Sequence, residues 1–555
     1  MNVRANTTRN TTRMSMSMSM SMGMGMGMVL SVLMTLQLSV TLGREALGAS
    51  RTPYGGQLKV FMATEPSAIE LDELDSAYAL AVASLVYEPL YRLRDDATLE
   101  PVLAAGPPEI ANDGYKVIIP LKPPQPAHDG RRLSAEEIRR ALEALASSES
   151  SAAFAFLPVR GGRARIAGHR AALSIKVRKD RKGEGPGLVF GLATPYAAFP
   201  MLLAVPQLLV EGPTPGVGTG PFRRATTTPT AMREREAWTL LSFLQHRDGR
   251  PFLDSMVITP VASRFATTSL VEQRRAHIVL GVPERAPQDV PLLTWPRGPA
   301  PQELTTLSIG AGETPSRSLS ASDLAQIDGA IHRARIIGRH LGQAARATRT
   351  LLGTAEPRAE AQADTRPNTR TETQSTHRGT DSASSRRPPS RPANNEGPWI
   401  LLVPKDARFG QRLAERVQLD LVRAGISAKI TRISRDEARA RRRQRNFDLL
   451  LDTDYSTSSS EAPMVIRFHG LLQLAVSHGC PDAVDDASIR AFDQATEAQR
   501  AVLVGEIDQR IRETCRMIAI ATSSPGIFIR SDVTPTTVDG GGRIAFENVT
   551  TAGPP

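Results

Sequence analysis

Cysteine is nearly absent from this sequence: the 555-residue chain has two, Cys480 and Cys515. Two thiols cannot build a four-thiolate metal site or a disulfide framework, so packed apolar surface must hold the fold. Aromatic residues are scarce at 5%, and lysine is scarce too, since 60 of the 68 basic residues are arginine. The formal charge is +11, but the arginines run from Arg4 to Arg543 with one dense cluster. A nucleic-acid surface needs charge concentrated on one face with stacking aromatics beside it, so nucleic acid is not expected as a partner. The nine histidines show no i, i+4 pairing that would put two imidazoles on one helix face, and no Gly-x-Ser-x-Gly elbow lies in a strand-turn-helix setting. His128 and Asp129, adjacent in a turn, rarely face one partner. The expectation is a chain that is not an enzyme, with no catalytic residue, no metal ligand and no cofactor.

What is present points to a large exported protein. The length allows three or four domains, and 41% apolar residues with 42 glycines is a globular composition. Arg4, Arg9 and Arg13 precede any acid, an apolar stretch runs from Val29 to Leu42, and small residues follow at Ala46-Leu47-Gly48-Ala49-Ser50. These are the three parts of a secretory signal peptide, assigned to residues 1–49. The apolar stretch is short for a membrane span. No cysteine lies near the exit, so a periplasmic protein that is not a lipoprotein is expected. The Met-Ser and Met-Gly alternation from Met14 to Met28 falls inside this leader, which removes it as a thioether metal site. In an oxidising compartment Cys480 and Cys515 are either a disulfide or two buried thiols; the sequence leaves both open.

Along the mature chain the texture is α/β without a strict βαβ rhythm. Gln57-Leu58-Lys59-Val60-Phe61 alternates as a strand, and Ala77 to Tyr91 has the apolar spacing of a buried helix. Asn112-Asp113-Gly114 reads as a hairpin turn, and Ser134 with Glu137 has the spacing of a capping box opening a helix on Ile138, Ala141, Leu142 and Leu145. Leu173 to Val210 reads as strands, and Ser322 to Leu352 as helical. Gly216 to Phe222 lacks the Lys-Ser or Lys-Thr of a phosphate cradle, so its glycines let backbone pass close to backbone. Residues 354–398 are Thr, Ser, Arg, Pro and Asn with almost no large apolar side chain, the composition of a disordered polar insert. Trp399 to Pro404, Ile426 to Ile433 and Phe447 to Leu451 read as strands, separated by helices at Arg408–Ala424 and Asp436–Arg445. The arginines from Arg439 to Arg445 are expected on a solvated helix.

Several stretches, in order, resemble the family 5 extracellular solute-binding proteins, the oligopeptide- and dipeptide-binding components of ABC importers. They are Gly55-Gly56-Gln57-Leu58 with Glu65-Pro66; Val86-Tyr87-Glu88-Pro89-Leu90-Tyr91; Leu99-Glu100-Pro101-Val102-Leu103-Ala104; Asn112-Asp113-Gly114-Tyr115; His128-Asp129-Gly130 with Leu133-Ser134-Ala135-Glu136-Glu137-Ile138; and Gly218-Thr219-Gly220-Pro221-Phe222. The resemblance implies an α/β two-lobed clamshell of the periplasmic-binding-protein type, with a discontinuous first lobe. That lobe would take residues 50–280 and 521–555, and the second lobe residues 281–353 and 399–520. It implies a monomer that captures a small solute such as a short peptide and delivers it to an ABC permease in the inner membrane. A degenerate clamshell serving as an envelope sensor is the alternative, since the Trp-containing segment of peptide-binding members is missing here. In its place stand Asp452, Asp454, Tyr455 and Glu461, which either hold a cationic ligand against the tyrosine ring or are solvated acids on a loop. Glu65 and Trp295 complete the candidate ligand contacts.

Overall fold

In the computed structural model the described residues are 54–62, 76–94, 96–147, 149–179, 185–225, 238–261, 275–281, 292–293, 302–310, 321–338, 345–353, 398–405, 410–456, 462–523 and 527–530, with isolated positions between and beyond them. The leader, nearly all of the polar insert, Glu65, Trp295 and Glu461 lie outside this set.

Two sheets organise the chain. The first runs Phe222–Arg224, Trp238–Ser242, Ser255–Pro260, Gln57–Met62, Ile278–Leu280, Ile527–Ile529 and Leu292–Leu293. Gln57–Met62 lies in the middle, parallel to both neighbours, with Leu58, Val60 and Met62 facing the core because alternate side chains point to one side. Helix α1 (Ala77–Val86) is buried on all sides, as a helix apolar around its whole circumference must be, and Ser76 caps it by accepting from Ala79 N at 3.1 Å. A strand from near the end of the chain thus completes a sheet begun at its start.

The second sheet runs Ala345–Ala347, Met517–Ser523, Gln302–Ile309, Leu449–Ser456, Trp399–Pro404 and Ala428–Ile433. The chain passes from the first sheet to the second between residues 293 and 302 and returns between 523 and 527. Ala345–Ala347 is a strand where a continuous helix was expected; the helical part is Ala321–Ala330 with a short turn at Arg333–Ile336. Likewise Phe199–Leu202 is a helical turn inside the stretch read as strands.

Between the first sheet's strands in sequence lies a third body. It is a four-stranded sheet of Glu109–Ala111, Lys116–Pro120, Gly187–Gly191 and Ile175–Arg178, covered by α2 (Ala135–Leu145). The capping box of α2 forms as its sequence predicts: Ser134 N donates to Glu137 Oε2 at 2.7 Å and Glu137 N to Ser134 Oγ at 3.3 Å.

On the second sheet, α3 (Gly410–Arg423) and α4 (Arg435–Gln444) connect three parallel strands. Leu413, Val417 and Leu421 of α3 share a core with Leu401, Val403, Leu449 and Leu451, whereas Ala438 of α4 sits with Leu402 and Leu450. Odd and even strand residues point to opposite faces, so the two helices cover opposite sides of the sheet. Three more helices follow: α5 (Met464–Ser477), α6 (Asp486–Gln494) and α7 (Glu497–Thr514). Cys480 and Cys515 are disulfide-bonded with Cα atoms 5.9 Å apart, tying the end of α5 to the end of α7. In the chain-entropy account a bridge 35 residues apart contributes about 4 kcal/mol.

Candidate functional site

In a parallel sheet with helices on both faces, a crevice opens at the carboxyl ends of the strands where the chain reverses its direction of winding. Here Trp399–Pro404 leads through α3 to Ala428–Ile433 on one side, and the chain then returns through α4 to Leu449–Ser456 on the other. Leu449 aligns with Leu401, so Asp452 stands level with Pro404 and Asp454 and Tyr455 project beyond it. The sheet topology therefore brings three of the candidate ligand residues, Asp452, Asp454 and Tyr455, to its own switch point.

All three are buried, with exposures of 1%, 5% and 2%. Neither acid lies on a solvated loop. Asp452 Oδ1 accepts from Arg435 Nη1 at 3.1 Å and its Oδ2 from Arg442 Nη1 at 3.2 Å. The same Arg442 nitrogen donates to Asp454 Oδ1 at 2.7 Å, and His478 Nε2 lies 2.9 Å from Asp454 Oδ2. The other ring nitrogen of His478 is 3.3 Å from Ser308 Oγ. Burial works against the charge on both acids. In Asp454 the neighbouring His478 and Arg442 outweigh it and hold the carboxyl well below its usual range, whereas in Asp452 burial prevails and pushes the carboxyl up.

The arginine cluster explains this geometry and corrects the expectation of a solvated helix. Arg435, Arg439 and Arg442 fall at i, i+4 and i+7, one stripe of α4, and Arg439 and Arg442 are only 5% and 6% exposed. The helix buries guanidinium groups where most helices bury leucines, because the strand beneath it presents aspartates at i and i+2. At its far end Arg445, in the left-handed region with φ 56°, donates to the carbonyls of Thr514 and Ile309, both at 3.2 Å.

Ser308, His478 and Asp454 are linked in the order of a hydrolase triad, yet their exposures are 2%, 3% and 5%. All three are closed off from solvent in this conformation, where the relay holds their side chains in place. Tyr455 turns its ring into the core of the first sheet, among residues that include Leu58, Tyr78 and Ile527, and its carbonyl accepts from Gln473 Nε2 at 2.7 Å. The strand end that carries the acids is thereby pinned to both sheets.

A second buried charge, Glu88, lies where three of the resembling stretches meet. It is fully buried and accepts from Arg247 through both oxygens, with Nη2 to Oε1 at 2.9 Å, and from Thr219 Oγ1 at 2.8 Å. Burial alone would raise its pKa; the hydrogen bond with His246 and the charge of Arg247 overcome that and lower it to about 2. The glycine turn crosses α1 so closely that a Cβ on Gly218 would stand 2.1 Å from the Val86 carbonyl oxygen. His128 N donates to the Gly218 carbonyl at 3.0 Å, Gly218 N donates to His128 Nδ1 at 3.3 Å, and His128 Nε2 lies 2.9 Å from the Gly220 carbonyl. These bonds suit a neutral imidazole protonated at Nε2, in keeping with burial, which depresses its pKa. The motifs that carry the resemblance thus build a structural knot rather than a ligand contact.

No protein-family model matches the sequence, and no curated protein matches it. Solved structures do. The murein tripeptide binding protein MppA of Escherichia coli superimposes with a TM-score of 0.66 at 14% identity, over 91% of this chain and 99% of that one. The fold is that of the two-lobed solute-binding proteins. A further likeness is to the ABC transporter-associated periplasmic binding protein DppA of Helicobacter pylori, solved with the peptide STSA, with a TM-score of 0.64 and 13% identity over 90% of this chain and 98% of that. Another is to the PBP AgaA of A. tumefaciens R10 in complex with agropinic acid, with a TM-score of 0.64 and 16% identity over 90% and 99%. Among the described residues no helix is long and apolar enough to cross a membrane, and no cluster of three metal-ligating side chains occurs.

Proposed function

We propose that this chain is the substrate-binding component of an ABC-type importer, which captures a small solute such as a short peptide between its lobes and presents it to an inner-membrane permease. The observation that carries the reading is the clamshell itself, matched over 90% of the chain by proteins solved with the peptide STSA and with agropinic acid. Such a protein works by population shift: a ligand that touches both lobes favours the state in which both are within reach. The leader at residues 1–49 would export it to the periplasm, where it acts as a monomer. The lobe boundaries would follow the sheets, the first lobe taking both ends of the mature chain. Asp452, Asp454 and Tyr455, with Glu65, Glu461 and Trp295, remain the proposed cleft residues.

Native mass spectrometry of the exported protein, compared with the same sample after denaturation, tests the reading. A mass excess that disappears on unfolding is expected, and its value identifies the solute class. Protein that stays ligand-free after incubation with a peptide mixture and with agropinic acid would overturn capture and favour an envelope sensor.

A further inference from the structure

The start of helix α5 carries a charge that no described residue answers. Followed from its end towards its start, α5 tracks outward along the strand Leu449–Ser456: His478 Nε2 lies 2.9 Å from Asp454 Oδ2, and Gln473 Nε2 donates to the Tyr455 carbonyl at 2.7 Å. Arg467 precedes Gln473 by about 9 Å of helix, so it stands past the carboxyl end of the strand, at the crevice. The residues after it meet the body built on the four-stranded sheet: the Phe468 ring faces Tyr196 edge-on at 6.2 Å, and the Tyr196 hydroxyl lies 2.7 Å from His469 Nε2. Tyr455, at the strand's end, reaches the core of the first sheet. Three parts of the chain thus come together around the first turns of α5.

Arg467 is half-buried there. Its Nε is shielded from solvent and has no hydrogen-bond partner, and its Nη1 finds only the Met464 sulfur, at 3.5 Å. A thioether is a weak acceptor and carries no charge. Among the described residues no carboxylate stands within salt-bridge distance of this guanidinium. Asp508, the acid whose charge reaches it, is committed elsewhere: Oδ2 accepts from Arg512 Nε and Oδ1 from Leu351 N, both at 2.8 Å. Burial depresses the Arg467 pKa, and the charge of Asp508 offsets only part of that. Arg435 and Arg442 on α4 differ in just this respect, since they face Asp452 and Asp454. A partly buried guanidinium without a counter-ion is costly, because it gives up hydration and gains no opposite charge. An anion from outside completes it. The surrounding backbone favours one too: Pro463, at the N-cap of α5, has no side-chain cap, and no acid lies in the first turn, so the amino end of the helix adds partial positive charge beside the guanidinium.

We propose that Arg467 anchors a carboxylate of the captured solute, its planar fork taking the two oxygens at the crevice. The inference rests on the capture reading and narrows it to solutes that carry a free carboxylate.

The mature protein, unfolded in denaturant with its disulfide intact and refolded, is freed of any carried solute. Native mass spectrometry then follows its capture from an equimolar mixture of tripeptides, each present as the free acid and as the C-terminal amide, and separately its capture of agropinic acid. The parent is expected to retain free acids at least about tenfold over the plain amides. Retention of those amides that carry a glutamate would place the anchored carboxylate on a side chain. Arg467→Met keeps an unbranched stem, removes the charge and is expected to reduce capture of the retained acids at least about tenfold. It should melt no lower than the ligand-free parent, because an unpaired charge has gone. Equal capture by parent and variant, equal retention of acids and plain amides by the parent, or a variant that melts more than about 5 °C lower would each overturn the assignment of Arg467 and leave capture standing. A parent that retains none of these solutes would instead overturn the capture reading, and this assignment with it.

Discussion

His469 offers a direct measure of how dry the joint between α5 and the four-stranded-sheet body is. The imidazole is 3% exposed, and burial lowers its pKa from 6.5 to about 3. In the folded protein it therefore stays neutral through the mildly acidic range, while in the unfolded chain it gains a proton below its ordinary pKa. For a base depressed in this way, stability is present above the unfolded pKa and is lost as pH falls from 6.5 towards 3. Between pH 7 and pH 5 the loss from this one group amounts to about 2 kcal/mol.

The endpoint of pH 5 leaves Glu88 ionised, and buried acids whose pKa burial raises, such as Asp452 and Asp508, cancel when the parent is compared with a single variant. Glu88, with its pKa lowered from 4.5 to about 2, contributes stability that disappears only as pH falls below 4.5. Buried His128 titrates in the same direction as His469, but it cancels when the parent is compared with a single variant. His469→Gln keeps a polar partner for the Tyr196 hydroxyl and does not titrate. Urea unfolding of both proteins at the two pH values should show the parent losing about 2 kcal/mol more than the variant. Losses that agree to within about 0.5 kcal/mol would show that His469 is hydrated or protonated in the folded state, and the reasoning about a dry joint would fail.

Two further outcomes follow from the buried knots. Gly218→Ala places a methyl 2.1 Å from the Val86 carbonyl oxygen and should lower unfolding free energy by about 3 kcal/mol. Gly505→Ala, inside α7 with nothing within 4 Å of its new methyl, should raise it by about 0.5–1 kcal/mol; equal effects at the two sites would refute the close crossing. Asp454→Asn removes the carboxylate facing His478 and one of the two on Arg442, which keeps Asp452 at 3.2 Å, and should destabilise the ligand-free protein by about 2 kcal/mol in thermal or urea melts, whereas a carboxylate held in reserve for a ligand would leave ligand-free stability unchanged.

The elements that could be read in the sequence are those with local rules. Alternation marked Gln57–Met62, the Ser134 and Glu137 spacing marked the start of α2, and the crowding of glycines at Gly218 and Gly220 marked a close backbone crossing. What was missed depends on partners distant in sequence. Ala345–Ala347 is a strand because Met517–Ser523 offers it an edge, and no local pattern announces that. The arginines of α4 look solvated until the strand after them is considered. The usable clue was there: Arg435 and Arg442 share a helix face by spacing, and Asp452 and Asp454 share a strand face by alternation, in elements joined by a short turn. Cys480 and Cys515 could not be paired from spacing alone, since only the packing of α5 against α7 brings them within reach.

The same network sets the terms on which the switch point can meet a ligand. A ligand ammonium approaching Asp454 would have to displace Arg442 at 2.7 Å, leaving it Asp452 alone, or His478 at 2.9 Å, and both are buried. Such an exchange is costly, because an unpaired buried charge loses both its solvation and its counter-ion. Arg435 is easier to reach: its side chain is 22% exposed, it holds Asp452 at 3.1 Å, and it begins α4, whose amino end carries partial positive charge. Of the charged groups in this network Arg435 is therefore the most open to solvent and Asp454, held from two sides, the most firmly committed.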